Sequence, residues 1–140
     1  AIDRQLKGLI AVEDPIKASS FEAIEKIKNS GLHVIMLTGD NSKTAEAIAK
    51  RIGINDFLAE ILPQQKVKII KELQVQGKTV AMVGDGINDS PALVTADLGI
   101  AIGTGTDIAI ESSDITLIKG NLNSVIAAII LSRKTIQTIL

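Results

Sequence analysis

The chain has 140 residues, enough for one domain with a real core, and its apolar content is almost wholly aliphatic, with Phe21 and Phe57 as the only aromatic residues. A formal net charge of −1 gives no basic footprint for nucleic acid, and the absence of cysteine excludes disulfides, thiolate metal sites and a thiol nucleophile. The apolar run at residues 126–131 ends in Ser132-Arg133-Lys134, no stretch reaches the length of a membrane span, and no signal-peptide pattern opens the chain.

Short apolar runs alternate with helical patterns. Residues 9–12 read as a strand, broken by Asp14-Pro15. Ser19 and Glu22 have capping-box spacing and predict a helix to about Ser30-Gly31, with Phe21, Ile24 and Ile27 as its apolar stripe. Residues 34–37 are the next strand. His33, at its edge, is given no role. After the turn Thr38-Gly39-Asp40-Asn41, the residues Ala45, Ile48, Ala49 and Ile52 recur at helical spacing up to Gly53. A short strand near Phe57-Leu58-Ala59 leads to Pro63 and a helix that turns Val67, Ile70 and Leu73 inward and stops near Gly77. Residues 79–83 form a strand, and Pro91 suits the first turn of the helix that follows. Residues 98–102 and 115–118 are further strands. The last helix starts near Asn121, with Leu122, Val125, Ile126, Ile129 and Ile130 on one side. Strand–helix alternation with short loops predicts an α/β fold: a Rossmann-like parallel sheet with helices on both faces. The loops rich in Thr, Gly, Asp and Asn all follow strands, so they gather at the carboxyl edge of the sheet, where such folds bind ligands.

The densest chemistry lies in Val83-Gly-Asp85-Gly-Ile-Asn88-Asp89-Ser-Pro-Ala-Leu93. Asp85 stands on the tip of an apolar strand between Gly84 and Gly86. Two close carboxylates repel unless a cation or proton intervenes, and magnesium favours carboxylate, water and phosphate oxygens. Asp85 is therefore read as a metal ligand. Asp89 is either in the metal shell or, like Ser90, the N-cap ahead of Pro91. Thr38 and Gly39 offer a hydroxyl and backbone N–H groups to a phosphate oxygen. The alternative there is a plain helix cap by Asp40 or Asn41. Lys66 sits in the first turn of its helix, poorly placed for the helix dipole, so it is either offset by an anion or simply solvated. Gly103-Thr104-Gly105 lacks nucleotide-loop spacing and reads as a tight turn, and Asp107, Glu111 and Asp114 as surface or cap residues.

Taken together, Asp14-Pro15-Ile16-Lys17, Thr38-Gly39-Asp40-Asn41, Pro63-Gln-Gln-Lys66 and Gly84-Asp-Gly-Ile-Asn-Asp-Ser-Pro-Ala-Leu93 resemble the phosphorylation domain of P-type ATPases, in the haloacid-dehalogenase-like superfamily. Gly99-Ile-Ala-Ile-Gly-Thr-Gly-Thr-Asp-Ile-Ala-Ile-Glu111 and Ser132-Arg-Lys-Thr135 resemble the heavy-metal branch, most of all the copper(I) exporters, with zinc and cadmium pumps as the alternative. The resemblance implies that Thr38, Gly39, Lys66 and Asn88 hold the phosphoryl group. It implies that Asp85 binds Mg²⁺, with Asp89 in the metal shell, and that ATP is the substrate of the complete pump. It also implies a cytosolic domain of a cell-membrane protein, working with nucleotide-binding, actuator and transmembrane parts.

The sequence departs from the family pattern in one respect. It has no Asp-Lys-Thr-Gly-Thr, the segment whose aspartate takes the phosphoryl group, and Asp3-Arg4-Gln5 does not replace it. Residues 1–140 are therefore expected to be one domain, the carboxyl-terminal portion of a phosphorylation domain. Its first, central strand would be missing, residues 121–140 would lead toward the next membrane span, and the chain alone would be inactive. Two other readings stand beside this: a non-catalytic module that binds magnesium or phosphate, and a small phosphatase of the same superfamily, for which no early nucleophilic aspartate is apparent.

Overall fold

The computed structural model of the chain describes residues 15–85, 87–103, 111–118 and 121–139. The expected strand at residues 9–12, the Asp14 position, the Asp3-Arg4-Gln5 segment, Gly86 and the Thr104–Gly105 turn with Asp107 lie outside the described residues.

Helix α1, Ala18–Asn29, starts from Lys17 in extended conformation without a side-chain cap. The expected capping box does not form. Ser19 falls inside the first turn, and Glu22 pairs one turn on with Lys26. Ala23 and Ile24 form the buried face, whereas Phe21, expected inward, is 39% exposed. Strand β1, Ile35–Leu37, leads to α2, Ser42–Ile52, whose N-cap is Asn41 and which closes at Gly53. Lys28 Nζ on α1 donates to the Gly53 carbonyl at 2.7 Å, placing a cation at the negative end of α2. Strand β2, Asp56–Leu58, is followed by α3, Pro63–Val75. Strand β3, Ala81–Gly84, runs into a 3₁₀ turn, Ile87–Asp89, and the short helix α4, Ser90–Thr95. Strands β4, Leu98–Ile102, and β5, Ile115–Leu117, precede the final helix α5, Asn123–Ile139.

Among the described residues all strand pairing is parallel, and it makes two sheets, β1-β2 and β3-β4-β5. Among those residues β1 and β3 are not paired with each other. Each sheet has its own apolar cluster. Ile24, Ala49 and Ile54, with Val34, Met36, Phe57 and Leu122 around them, fill the first. Ile70, Met82, Ala92 and Leu93 fill the second. There α4 lies directly on β4: a Cβ at Gly99 would come 2.7 Å from the Leu93 carbonyl oxygen, so only glycine permits this approach. On α5, Val125 and Ile126 are buried, but Ile130, expected inward, is 48% exposed, and residues 131–139 after it are exposed as well. Among the described residues no helix is long and apolar enough to cross a membrane.

The turn between α4 and β4 is tied back to the start of β3. Asp97 accepts the Val80 N–H at 2.8 Å, and the Val80 carbonyl accepts the N–H groups of Asp97 and Leu98. The Val80 N–H, with help from Gln74, holds the Asp97 carboxyl below the usual aspartate range. A depressed carboxylate stabilises the fold above its unfolded pKa, and that contribution disappears as pH falls through the folded value. Asp97→Asn is therefore expected to flatten part of the acid-side fall in the urea midpoint of the chain. Identical pH profiles for variant and wild type would show that this carboxylate contributes nothing.

Candidate functional site

The site is built from the loops at the carboxyl ends of the strands. Beyond β1, the Thr38 N–H still pairs with Leu58 of β2 at 3.0 Å, so Thr38 stands at the exact end of the ladder. Its hydroxyl donates to Asp40 Oδ2 at 2.9 Å and accepts the Asp40 N–H at 3.1 Å. Asn41 caps α2, accepting the Thr44 N–H through its side-chain oxygen at 3.0 Å. The two readings of this loop therefore separate by residue: Asn41 is the cap, and Asp40 orients Thr38. The loop after β2 braces the same turn, with the Glu60 N–H on the Asp40 carbonyl at 2.8 Å and the Ile61 N–H on the Thr38 carbonyl at 3.0 Å.

Ile61 leads straight into α3. Pro63 occupies the first turn, and the Leu62 N–H is satisfied by Gln65 Oε1 at 2.7 Å. One residue further, Lys66 leaves the helix and reaches Asp89 Oδ1 at 2.6 Å. Both side chains are largely buried, at 14% and 13% exposure, so Lys66 is not a solvated surface lysine. The anion that its place in the helix calls for is the carboxylate of Asp89. Asp89 stands at the N-cap position of α4 but makes no capping bond there. Its side chain folds back over the end of β3. A Cβ at Gly84 would meet Asp89 Cβ at 2.7 Å, so this glycine makes the fold-back possible. Next to it, the Ser90 hydroxyl is buried without a hydrogen-bond partner. Asp85 and Asn88 are exposed beside this pair.

One line of contacts thus joins Thr38 through Ile61 to the start of α3, and from there through Lys66 and Asp89 to the end of β3. The line crosses between the two sheets. Among the described residues no three of His, Asp and Glu gather as a metal-binding cluster. An exposed Asp85 at a strand tip suits a magnesium ion that takes most of its oxygens from water and phosphate, since this ion is commonly held by one or two carboxylates. It does not suit a cation that needs an all-protein cage. Sequence reasoning named Thr38, Gly39, Lys66, Asp85, Asn88 and Asp89 as candidates but not the pairing of Lys66 with Asp89, nor the bracing by Glu60 and Ile61. A lysine misplaced for the helix dipole was the signal for the first.

Known proteins are similar to this chain in sequence and in fold. The chain is 58% identical over 139 residues to the copper-exporting P-type ATPase of Bacillus subtilis, covering 99% of this chain and 17% of that protein. It is 56% identical over 138 residues to copper-transporting ATPase 1 of Mus musculus, covering 99% of this chain and 9% of that protein. The chain therefore spans less than a fifth of these relatives. Among solved structures it resembles a zinc-transporting PIB-type ATPase in its E2·Pi state, with TM-score 0.82 and 42% identity over 88% of this chain and 20% of that one. It also resembles the catalytic domain of the CPx-ATPase CopB-B, with TM-score 0.74 and 35% identity over 82% of this chain and 45% of that one. The model of the haloacid dehalogenase-like hydrolases matches residues 1–97, which include every site residue named above. Parallel strands that end at Thr38 and Asp85, with Lys66 on the helix after β2, together with that match, show that the chain belongs to the haloacid dehalogenase-like hydrolase family.

Proposed function

We propose that this chain is the magnesium- and phosphate-binding part of the phosphorylation domain of a copper-exporting P-type ATPase. Such a pump hydrolyses ATP through an aspartyl phosphate and couples this to movement of the ion. The observation that carries the reading is the buried Lys66–Asp89 pair, tied through Ile61 to the Thr38 turn, in a chain 58% identical to a copper-exporting pump. Copper is preferred to zinc because the relatives of highest identity named here are copper pumps, while the zinc pump is 42% identical.

In this reading Lys66 offsets charge on the transferring phosphoryl group, and Asp89 fixes where its ammonium stands. Thr38, Gly39 and Asn88 offer hydroxyl, backbone and amide donors to the phosphoryl oxygens. Positioned donors and cations supply most of the catalysis that phosphoryl transfer needs. Asp85 would hold Mg²⁺, which when bound neutralises phosphate charge, with Asp89 beside it in the metal shell. The acceptor aspartate, the nucleotide-binding, actuator and transmembrane parts, and the membrane itself would belong to the rest of the pump. Residues 121–140 would lead toward the next membrane span.

The test is copper-dependent phosphorylation of the whole pump. Labelled ATP is expected to give a hydroxylamine-labile band that rises with Cu⁺ more than with Zn²⁺, whereas the 140-residue chain alone gives none. A labile band on the isolated chain would overturn the assignment of the acceptor elsewhere. A zinc response exceeding the copper response would overturn the ion.

A further inference from the structure

Several helix hydroxyls of this chain are satisfied within their own helix. Thr95, Thr135 and Thr138 donate to the carbonyls of Pro91, Leu131 and Lys134, four residues back in each case. Ser90 is the first residue of α4, so no α-helical turn lies behind it to offer such a carbonyl. The residue is only 8% exposed, and no protein group bonds its hydroxyl. A buried hydroxyl left without a partner is destabilising, so the fold alone favours an alanine here, as it has at the fully buried Ala92 two residues on. Native structures satisfy such groups with ordered water where further polar partners stand close by.

Those partners lie on one side of Ser90. Along α4 its neighbours Ala92 and Leu93 are buried and apolar. Before it in the chain comes Asp89, whose Oδ1 takes the Lys66 ammonium at 2.6 Å and whose Oδ2 lies over Gly84, where a Cβ would meet it at 2.8 Å. We propose that Ser90 is a positioning residue: its hydroxyl and the Asp89 carboxylate share one buried water, which fixes the carboxylate and, through it, the Lys66 ammonium. This rests on the pump reading, in which that ammonium acts on the phosphoryl group. The hydroxyl donates to the water, and the water donates to the carboxylate, which can only accept. One water spans two hydrogen bonds, about 5.5 Å, a reach that suits side chains on neighbouring residues. A carboxylate held by Lys66 alone can turn about its own axis; held also by the water, it cannot.

The experiment uses the whole pump. It reads the rate of phosphoenzyme formation at saturating ATP and the ATP concentration that gives half of it. Ser90→Ala is expected to slow the saturated rate about threefold to tenfold and to leave the ATP concentration unchanged, because Ser90 orients the transfer step and does not bind nucleotide. Ser90→Thr keeps the hydroxyl and is expected to come within about twofold of wild type. Thr95→Ala removes a hydroxyl of the same helix that already has its bond, and is expected to behave as wild type. An equal loss in Thr95→Ala would make the effect one of helix packing and overturn the proposal, and so would a wild-type rate in Ser90→Ala. Should Ser90→Thr fail to fold, the comparison of the two alanine variants decides. In the 140-residue chain, Ser90→Ala is expected to lower the urea midpoint, with a loss less than additive with that of Asp89→Ala, since the two side chains share the water. A raised midpoint in Ser90→Ala would reveal a hydroxyl with no partner at all and overturn the water. An Asp85→Asn control separates the two levels. If that control still forms phosphoenzyme normally, the pump reading fails and the role of Ser90 with it; if it does not and Ser90→Ala behaves as wild type, only the role of Ser90 fails.

Discussion

Asp85→Asn is expected to lower phosphoenzyme formation by the whole pump about a hundredfold or more, and to leave the stability of the domain nearly unchanged. The kinetic half follows from what the carboxylate is proposed to hold. Disturbing even the outer shell of a metal costs roughly tenfold to a hundredfold, and loss of a transition-state charge partner costs about a hundredfold to a thousandfold. The stability half follows from position. Asp85 is exposed at the end of β3, and surface substitutions of this kind usually stay within about 0.5 kcal/mol. The amide keeps the size and one oxygen, so raising Mg²⁺ is expected to recover part of the rate. Asp40→Asn is the control. Asp40 accepts the Thr38 hydroxyl at 2.9 Å, so its loss disturbs the phosphate side and is expected to weaken magnesium binding less. Equal loss of magnesium affinity in the two variants, read by titration, would remove Asp85 from its assigned role.

Much of this site was legible because its residues sit at the ends of short apolar runs. β1, β4 and β5 fall within a residue of where aliphatic clustering puts them. β3 starts later than expected, at Ala81 instead of residue 79, for a reason outside any periodicity. The Val80 N–H is taken by the Asp97 carboxylate, so that residue closes a turn and does not enter the ladder. The start of α1 was misread because Ser19 and Glu22 satisfy a spacing rule, yet the chain already turns at Lys17, and Glu22 finds Lys26. The identity of the Asp89 partner was out of reach for a different reason. A cap is a local event within a few residues, whereas Lys66 lies 23 residues away and meets Asp89 only because α3 and the 3₁₀ turn pack together. The positive φ of Glu60 is a backbone property that composition does not reveal.

The Lys66–Asp89 pair leads to the second large effect, in which stability and chemistry should separate. Lys66→Met leaves a carboxylate 13% exposed with its cation removed, and breaking a buried pair from one side costs on the order of 3 kcal/mol. Asp89→Asn strands the lysine instead, but a lysine has a long flexible stem and finds water more easily, so its cost should be the smaller. The double variant Lys66→Met/Asp89→Asn removes both charges and should recover at least about 1 kcal/mol relative to the sum of the single losses, as contacting residues do in double-mutant cycles. Urea midpoints of the three variants measure this directly. Phosphoenzyme formation should not recover, because the cation assigned to the phosphoryl group is absent from both Lys66 variants. Simple additivity of the two stability losses would mean that the 2.6 Å contact couples nothing. Recovery of phosphoenzyme in the double variant would mean that Lys66 serves only to neutralise Asp89. The opposite result, stability regained and phosphorylation still lost, would assign the lysine two tasks: it closes the fold between α3 and β3, and it acts on the phosphoryl group from the same atom.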